Sequence, residues 1–573
     1  MKKLLDFLKT DSGLTLLAFA AVALLLLISL GADGLPAAQE GRTALIVRKM
    51  LTTGNPLDMD IPLTILYEKP IGHYWLCLPF AWLFGIGAAE PANSAFVEWG
   101  VRLPSAISAL AALVAVLLLA RRIYGTRIAA LSVFVTGSML TFLHLGRLAH
   151  IDMPLAAAFA WSMYFLYAGY LEEWKSNWKI YGFYIVLGWG MILKGPLVLI
   201  LSGLIVLAMM IWKRRWRMLW EIRPISGGAL FLLTALPWYV YETIRTDGAF
   251  FEEFIVNQNF RRFTGIGSVY RDGKRMPLLY YFPKMFVGAL PWSIVSVCTL
   301  AFMFKRIIRL KFRDGSVFLM FWLVTGFVFF SCSALKRGDY LLPLYPALGI
   351  MTAAAAIYGT ENLPGLTRKW KYCWGVIAAA AGVFLLLNVT GQLIRAAQWG
   401  LRVKVRHLAK SDLENTILIS EFINHHLIVC ILITAAILAA LYYLGRLMEN
   451  KEWNRALMIF CGAVFIVYFS ANAWITPNSA WRRTVKPLSS EIRKHIPSDA
   501  EVVFLGDFNT ELLFFVNRPY DNKIKPDSKY LLMEKYNYRA FMKSKESRDW
   551  NLTLQTVENH QYPVYFFIRK NPK

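Results

Sequence analysis

The sequence predicts a mostly α-helical, polytopic membrane protein with about thirteen transmembrane helices and a small extracytoplasmic α/β domain at the C-terminus. Three observations predict it. Of 573 residues, 57% are hydrophobic and only 17% charged, which leaves too little polar surface to cover the apolar content of soluble domains. Apolar runs of spanning length recur through the first 476 residues with short loops between them. The net charge of +25 is gathered in those loops, as the orienting charge of a membrane protein is, and this argues against a nucleic-acid partner.

The first element is the basic start MKKLLDFLKT followed by an apolar run over residues 13–31. It is long enough to span, and no small-residue cleavage site follows, so an uncleaved helix with a cytoplasmic N-terminus is expected. Further runs centre near residues 111, 135, 163, 186, 204, 236, 290, 325, 350, 381, 436 and 464. Residues 74–87 are also apolar, but a span there would place Arg121, Arg122 and Arg127 outside. Read as an interfacial or re-entrant segment, they leave a single alternation that puts nearly every basic cluster in the cytoplasm, from Arg121 and Arg122 to Arg446 and Arg455. Loops 32–103 and 246–276 then face outward, as does everything after about residue 477. There, EVVFLG (501–506), TELLFFV (510–516), KYLLMEK (529–535) and VYFFIRK (564–570) read as strand, helix, strand and strand. The expected division is a transmembrane domain over 1–476 and an α/β domain over 477–573. Six cysteines lie in or beside apolar runs without a CxxC pair, so neither a disulfide framework nor a thiolate metal site is expected. The chain has no Gly-rich nucleotide loop, which argues against ATP or a soluble nucleotide sugar as direct ligand.

Charged residues at the outer membrane boundary carry the chemical information, because an ion near hydrocarbon costs several kcal/mol unless it is paired or used. In Tyr67-Glu68-Lys69-Pro70 a carboxylate beside an ammonium, fixed by proline, can aim the lysine at a lipid phosphate; a solvated surface pair is the commoner meaning of Glu-Lys. Asp152, in Arg147-Leu-Ala-His150-Ile-Asp152-Met-Pro154, can cap a helix, pair with a cation such as Lys69, or hold an acceptor. Lys336-Arg337-Gly-Asp339-Tyr340 offers two cations and a phenol at headgroup depth, a candidate phosphate clamp. Lys194 in LKGP, between two spans, is a fourth external lysine, which in the bland case simply snorkels. Arg261, Arg262, Lys274 and Arg275 make the 246–276 loop basic, which suits a phosphate ligand or, equally, anionic lipid headgroups.

Taken together, these motifs resemble the lipid A aminoarabinose transferases and the wider protein O-mannosyltransferase-like group of GT-C glycosyltransferases. The resemblance rests on Gln39-Glu40-Gly-Arg42 with Arg48-Lys49-Met50, on YEKP with the downstream Tyr74-Trp75 and Leu83-Phe84-Gly85, on IDMPL at 151–155, and on Lys336 with Tyr340-Leu-Leu-Pro343 and Pro346. It runs over essentially the whole chain. It implies transfer of a sugar from a polyprenyl (undecaprenyl) phosphate donor to lipid A or a similar envelope acceptor, by a monomer on the periplasmic side of a bacterial inner membrane. Glu40, Lys69, Glu68 and Asp152 are then the candidate catalytic residues. Lys69, Lys336, Tyr340, Lys274 and Arg275 are candidates for the donor phosphate, and Gln39, Arg42 and Arg147 for the acceptor.

Two positions depart from the family pattern. Gln39-Glu40 stands where the family has Asp-Glu, and an amide can be neither a general base nor a carboxylate ligand. Either Glu40 takes over or the acceptor needs no deprotonation, as a phosphate does not. Lys274 stands where the family often has histidine, and an ammonium repels a metal, so a divalent cofactor is only weakly supported. Two alternatives stay open: transfer to a hydroxyl of a protein or glycan with Glu40 as base, and a lipid or sugar flippase. Few intramembrane charges and no inverted repeat count against the flippase.

Overall fold

The computed structural model describes residues 10–61, 69–87, 96–266, 277–293, 295–297, 314–358, 370–403, 410–450, 452–477, 483–505, 509–556 and 563–570. Contacts divide the chain into two compact units, one of Met1–Ala355 with Thr484–Thr556 and Val564–Lys573, the other of Ala356–Arg483 with Val557–Pro563. Both are mainly helical.

In the first unit the helices run α1 (Asp11–Leu27), α2 (Ala38–Thr53), α3 (Gly72–Leu83), α4 (Val97–Tyr124), α5 (Thr126–Gly137), α6 (Leu140–Gly146), α7 (Asp152–Leu171), α8 (Asn177–Lys194), α9 (Leu197–Lys213), α10 (Pro224–Arg245), α11 (Tyr281–Gly288), α12 (Asp314–Cys332) and α13 (Tyr345–Tyr358). A π-helical segment, Phe251–Arg261, follows α10, and a 3₁₀ turn, Gly338–Leu344, leads into α13. Thr10 caps α1 by accepting from Gly13 N–H, and α2 stops at Gly54, whose φ of 67° suits a residue without Cβ. The apolar segment over 74–87 forms α3, whose twelve residues reach about 18 Å, short of the ~30 Å hydrocarbon core. The second unit holds α14 (Trp370–Val389), α15 (Gln392–Val403), α16 (Lys410–His425), α17 (Leu427–Glu449) and α18 (Trp453–Ser470).

Among the described residues five helices are long and apolar enough to cross a membrane: Val97–Tyr124, Asp314–Cys332, Gly338–Tyr358, Leu427–Leu447 and Trp453–Ile475. A sixth is α5 with α6, bent by 69°. Aromatic, glycine and charged residues lower the hydropathy of α7, α8 and α10, which are nevertheless of spanning length.

The C-terminal part of the first unit comprises α19 (Lys486–His495), β1 (Val502–Leu505), α20 (Thr510–Val516), β2 (Tyr520–Asp521), β3 (Tyr530–Glu534), α21 (Lys535–Phe541), β4 (Trp550–Gln555) and β5 (Val564–Arg569). The four segments read from the sequence take the forms expected; α19, β2, α21 and β4 are additional. The sheet order is β2-β1-β3-β5-β4, with β1 parallel to β2 and β3, and β5 antiparallel to β3 and β4. Successive strand residues point to opposite faces. Val502, Phe504, Leu532 and Phe566 therefore join a core shared with α2, α3 and α20, while Val503, Leu531, Met533 and Phe567 pack with Phe541 of α21.

This α/β part is bolted to the first loop. Thr510 donates to the Ala38 carbonyl at 2.8 Å, Arg48 donates to the Phe514 carbonyl at 2.8 Å, and Lys486 pairs with Glu98 at 2.6 Å. Gly41 is required at the crossing of α2 and α20, since a Cβ there would lie 2.7 Å from Glu511 N. Buried beneath this contact, the Glu511 carboxylate accepts from Leu35 N–H, Val485 N–H and the Thr484 hydroxyl. Burial pushes its pKa from 4.5 up to about 7; the three donors oppose the rise and the charge of Glu40 adds to it. The folded state then holds a proton that the unfolded chain releases. The contribution is complete below the unfolded value and is lost as pH rises through about 7, on the order of 3 kcal/mol at most. The thermal midpoint of detergent-solubilised protein should fall between pH 5 and pH 8, and Glu511→Gln should flatten that fall. An unchanged slope in the variant would remove Glu511 as its source.

Candidate active site

The site begins with a buried cation. Arg102 of α4 is 1% exposed and directs its guanidinium at the chain between α1 and α2. Nε and Nη2 donate to the two oxygens of Glu40 at 2.8 and 2.9 Å, and Nη1 donates to Asp33 and to the Leu30 carbonyl, both at 2.7 Å. Nη2 also reaches the Gly34 carbonyl. Glu40 accepts in addition from Ala149 N–H at 2.9 Å, at the turn that leads into α7. Fork-on-fork pairing of this kind is the geometry that offsets the desolvation of two ions.

Three residues beyond Ala149, Asp152 opens α7 and is 2% exposed. One of its oxygens holds the ammonium of Lys194, the last residue of α8. The other lies 3.1 Å from Nδ1 of His150. Nε2 of His150 lies 3.8 Å from Asp339 in the 3₁₀ turn, and Asp339 takes the Arg337 guanidinium at 2.9 and 3.1 Å. Lys194 also sits over the Tyr340 ring, 4.9 Å from its centroid. Lys194, Asp152, His150, Asp339 and Arg337 follow one another as ammonium, carboxylate, imidazole, carboxylate and guanidinium. His150, Asp152 and Asp339 each offer a ligand atom within 4.8 Å of the others, so they could geometrically hold a cation. Both carboxylates already face a protein cation, and a donor set so neutralised is a poor one for a divalent metal.

Lys194 ends in a cavity of about 370 Å³. Lys69, Arg262, Gln258, Asn259, Ser333 and Tyr340 supply the rest of its polar lining. The remaining wall is apolar, with Phe254, Phe260, Phe263, Phe329 and Phe330 prominent. Arg262 is held in place by Gln258, whose side-chain oxygen it meets at 2.7 Å. Cations at one part of an otherwise aromatic cavity suit an amphiphile with an anionic head and a hydrocarbon tail.

The sequence-derived candidates divide accordingly. Lys69 and Tyr340 line the cavity, and Asp152 supports it through Lys194. Where the sequence suggested that Asp152 orients Lys69, the carboxylate is engaged by Lys194 and His150. Lys194, read as a snorkelling lysine, points inward because a buried carboxylate draws it. Glu40 lies in the Arg102 pair with both oxygens occupied, and half-buried Gln39 and Arg42 flank it on α2. Arg147 donates to the Leu25 and Leu26 carbonyls at 2.7 and 3.0 Å, which closes the C-terminus of α1. Lys336 donates to the Ser333 carbonyl at 2.7 Å. Glu68, Lys274 and Arg275 lie outside the described residues. Arg102, Lys194, His150 and Asp339 escaped selection. The available signal was cost: a lysine at a helix end in an apolar run, and an arginine inside one, both need acidic partners.

Comparison with known proteins fits this geometry. Residues 68–241 match the dolichyl-phosphate-mannose-protein mannosyltransferase family. The undecaprenyl phosphate-alpha-4-amino-4-deoxy-L-arabinose arabinosyl transferase of Erwinia tasmaniensis is 30% identical over 407 residues, covering 69% of this chain and 67% of that relative. The chain belongs to this aminoarabinose transferase family. It is therefore a membrane glycosyltransferase. The namesake enzyme of Edwardsiella ictaluri is 28% identical, over 63% of this chain and 61% of its own length. The fold is that of the crystal structure of ArnT from Cupriavidus metallidurans bound to undecaprenyl phosphate, with a TM-score of 0.73 at 18% identity over 96% of this chain and 97% of that one.

The Arg102 pairing makes a direct prediction. Arg102→Met strands Glu40 and Asp33 without a countercharge and should cost about 3–5 kcal/mol, read as a large fall in thermal midpoint. Glu40→Gln, which keeps shape but removes one charge, should cost less. A methionine variant that melts with the wild type would show that the pair contributes nothing.

Proposed function

We propose that this glycosyltransferase moves 4-amino-4-deoxy-L-arabinose from undecaprenyl phosphate to a phosphate of lipid A. The observation that carries the reading is the meeting of Lys69, Lys194 and Arg262 in one aromatic-lined cavity. The acceptor phosphate oxygen attacks the anomeric carbon, the bond from that carbon to the donor's phosphate oxygen breaks, and the electron pair leaves with undecaprenyl phosphate. Charge grows on the departing phosphate, and preorganised cations in a water-poor cavity stabilise it. Asp152 aims Lys194, while the phenylalanines accept the isoprenoid.

A phosphate acceptor is already anionic, so no general base is required, and this agrees with Gln39 and with a Glu40 whose oxygens are occupied by Arg102 and Ala149. A hydroxyl acceptor would need a base that this pairing does not free. No step is routed through a metal. The same reading places about thirteen spans in a bacterial inner membrane, with the cavity and an α/β domain over 477–573 facing the periplasm and the enzyme acting as a monomer.

Mass spectrometry of lipid A from cells with and without the protein tests the transfer. Addition of aminoarabinose to lipid A phosphate is expected. A product on protein or glycan alone would overturn the acceptor. Removing the pair as a unit, Lys194→Met with Asp152→Asn, avoids an orphaned charge and should slow transfer about 10²–10³-fold. Transfer at the wild-type rate would remove Lys194 from the mechanism.

A further inference from the structure

We propose that Glu253 is a positioning residue for the donor phosphate, which aims the Arg262 guanidinium by acting through the amide of Gln258. The inference rests on the donor reading above and adds to it a residue that does not line the cavity.

Both Glu253 oxygens accept from amides of its own π-helical segment, Oε2 from Asn257 Nδ2 and Oε1 from Gln258 Nε2, each at 2.9 Å. Each amide then turns its oxygen to a guanidinium. Asn257 accepts from Nη1 of Arg261 and Gln258 from Nη1 of Arg262, each at 2.7 Å. One carboxylate thus directs two arginines, and Arg262 is the one that lines the cavity. An amide side chain fits a site either way round, so the groups that face it decide its orientation. Were Gln258 reversed, its oxygen would meet the Glu253 carboxylate and its N–H groups would meet those of Arg262. Glu253 offers these amides acceptors only, and so admits the one orientation that presents an oxygen to Arg262.

The π register makes this fork possible. Its backbone hydrogen bonds close five residues on, so a turn holds between four and five residues, and positions 257 and 258 flank 253 on the next turn. In an α-helix the flanking positions would be 256 and 257, and Val256 has no amide side chain. The backbone around the fork is anchored by other means. The Phe250 and Phe254 rings stack with centroids 5.5 Å apart, and Phe263 stacks on Phe329 of α12 at 4.9 Å. The Phe263 carbonyl also accepts from Ala334 N–H at 2.9 Å. What then remains to be fixed at Arg262 is its long side chain, with its many rotamers. Gln258 holds that side chain, and Glu253 holds Gln258. A guanidinium aimed in advance needs no reorganisation as charge grows on the departing phosphate.

The test is steady-state kinetics of full-length protein with undecaprenyl phosphate-linked aminoarabinose as donor. Glu253→Met offers neither amide an acceptor. It should lower kcat about 10-fold with a smaller change in donor KM, because the phosphate gains charge only as the bond breaks. Glu253→Gln can accept from one amide alone and should fall between that variant and the wild type. Arg262→Met should by itself cost about 10²-fold. In its background Glu253→Met should cost less than about twofold more, because the group it aims is gone. Should Glu253→Met fail to fold, Gln258→Met cuts the same relay and should show the same loss and the same non-additivity. A Glu253→Met enzyme with the wild-type kcat, or one whose loss is equal with and without Arg262, overturns the proposal. Failure of the donor reading looks different: Arg262→Met alone would then turn over as the wild type does, leaving Glu253 nothing to aim.

Discussion

The Arg102 guanidinium is the point on which the described architecture turns. It is buried among α4, the end of α1 and the start of α2, and it is tolerable there because two carboxylates and two carbonyls take up its donors. The same Glu40 that answers it also accepts from Ala149, so one ion pair fixes the first-loop helix against a span and sets the turn from which α7 departs. Asp152 is three residues along that turn. The position of the carboxylate that aims Lys194 is thus inherited from a pair that itself lies outside the cavity.

From Asp152 onward the constraint is that each buried polar group needs a partner. A buried ammonium needs a carboxylate, that carboxylate has a second oxygen to satisfy, and each further group repeats the demand until Arg337, half-exposed, meets solvent. Such a chain holds Lys194 more rigidly than a single pair would, because each member has two partners. Rigidity matters here, since a cation that must reorganise during the reaction stabilises a departing phosphate less than one already in place. The α/β part contributes in a different way: Thr510 bonds the start of α2, Lys486 pairs with Glu98 at the start of α4, and Glu511 holds the chain at Leu35.

Much of this was legible in order along the chain, and less of it in space. YEKP and IDMPL marked Lys69 and Asp152, and both belong to the neighbourhood of one cavity. Lys194 was visible as an outer lysine but without a partner, because Asp152 is 42 residues away on another helix and no local spacing announces it. Glu40 looked like a free acid since Arg102, 62 residues on, is hidden inside an apolar run. In the sheet, β1, β3 and β5 stood out as buried hydrophobic strands. The edge strand β4 did not, because most of its residues are exposed and half are polar, and β2 is only two residues long.

The amino-acid order alone determined that the chain is a membrane protein, how its apolar runs are spaced, and which motifs link it to polyprenyl-phosphate chemistry, since these follow from composition, run length and short local patterns. Tertiary structure decided which charges answer one another: Arg102 with Glu40, Lys194 with Asp152, His150 between two carboxylates. Opposite charges in a low-dielectric interior must be paired, yet a pairing across helices depends on packing distance and leaves no period in the sequence.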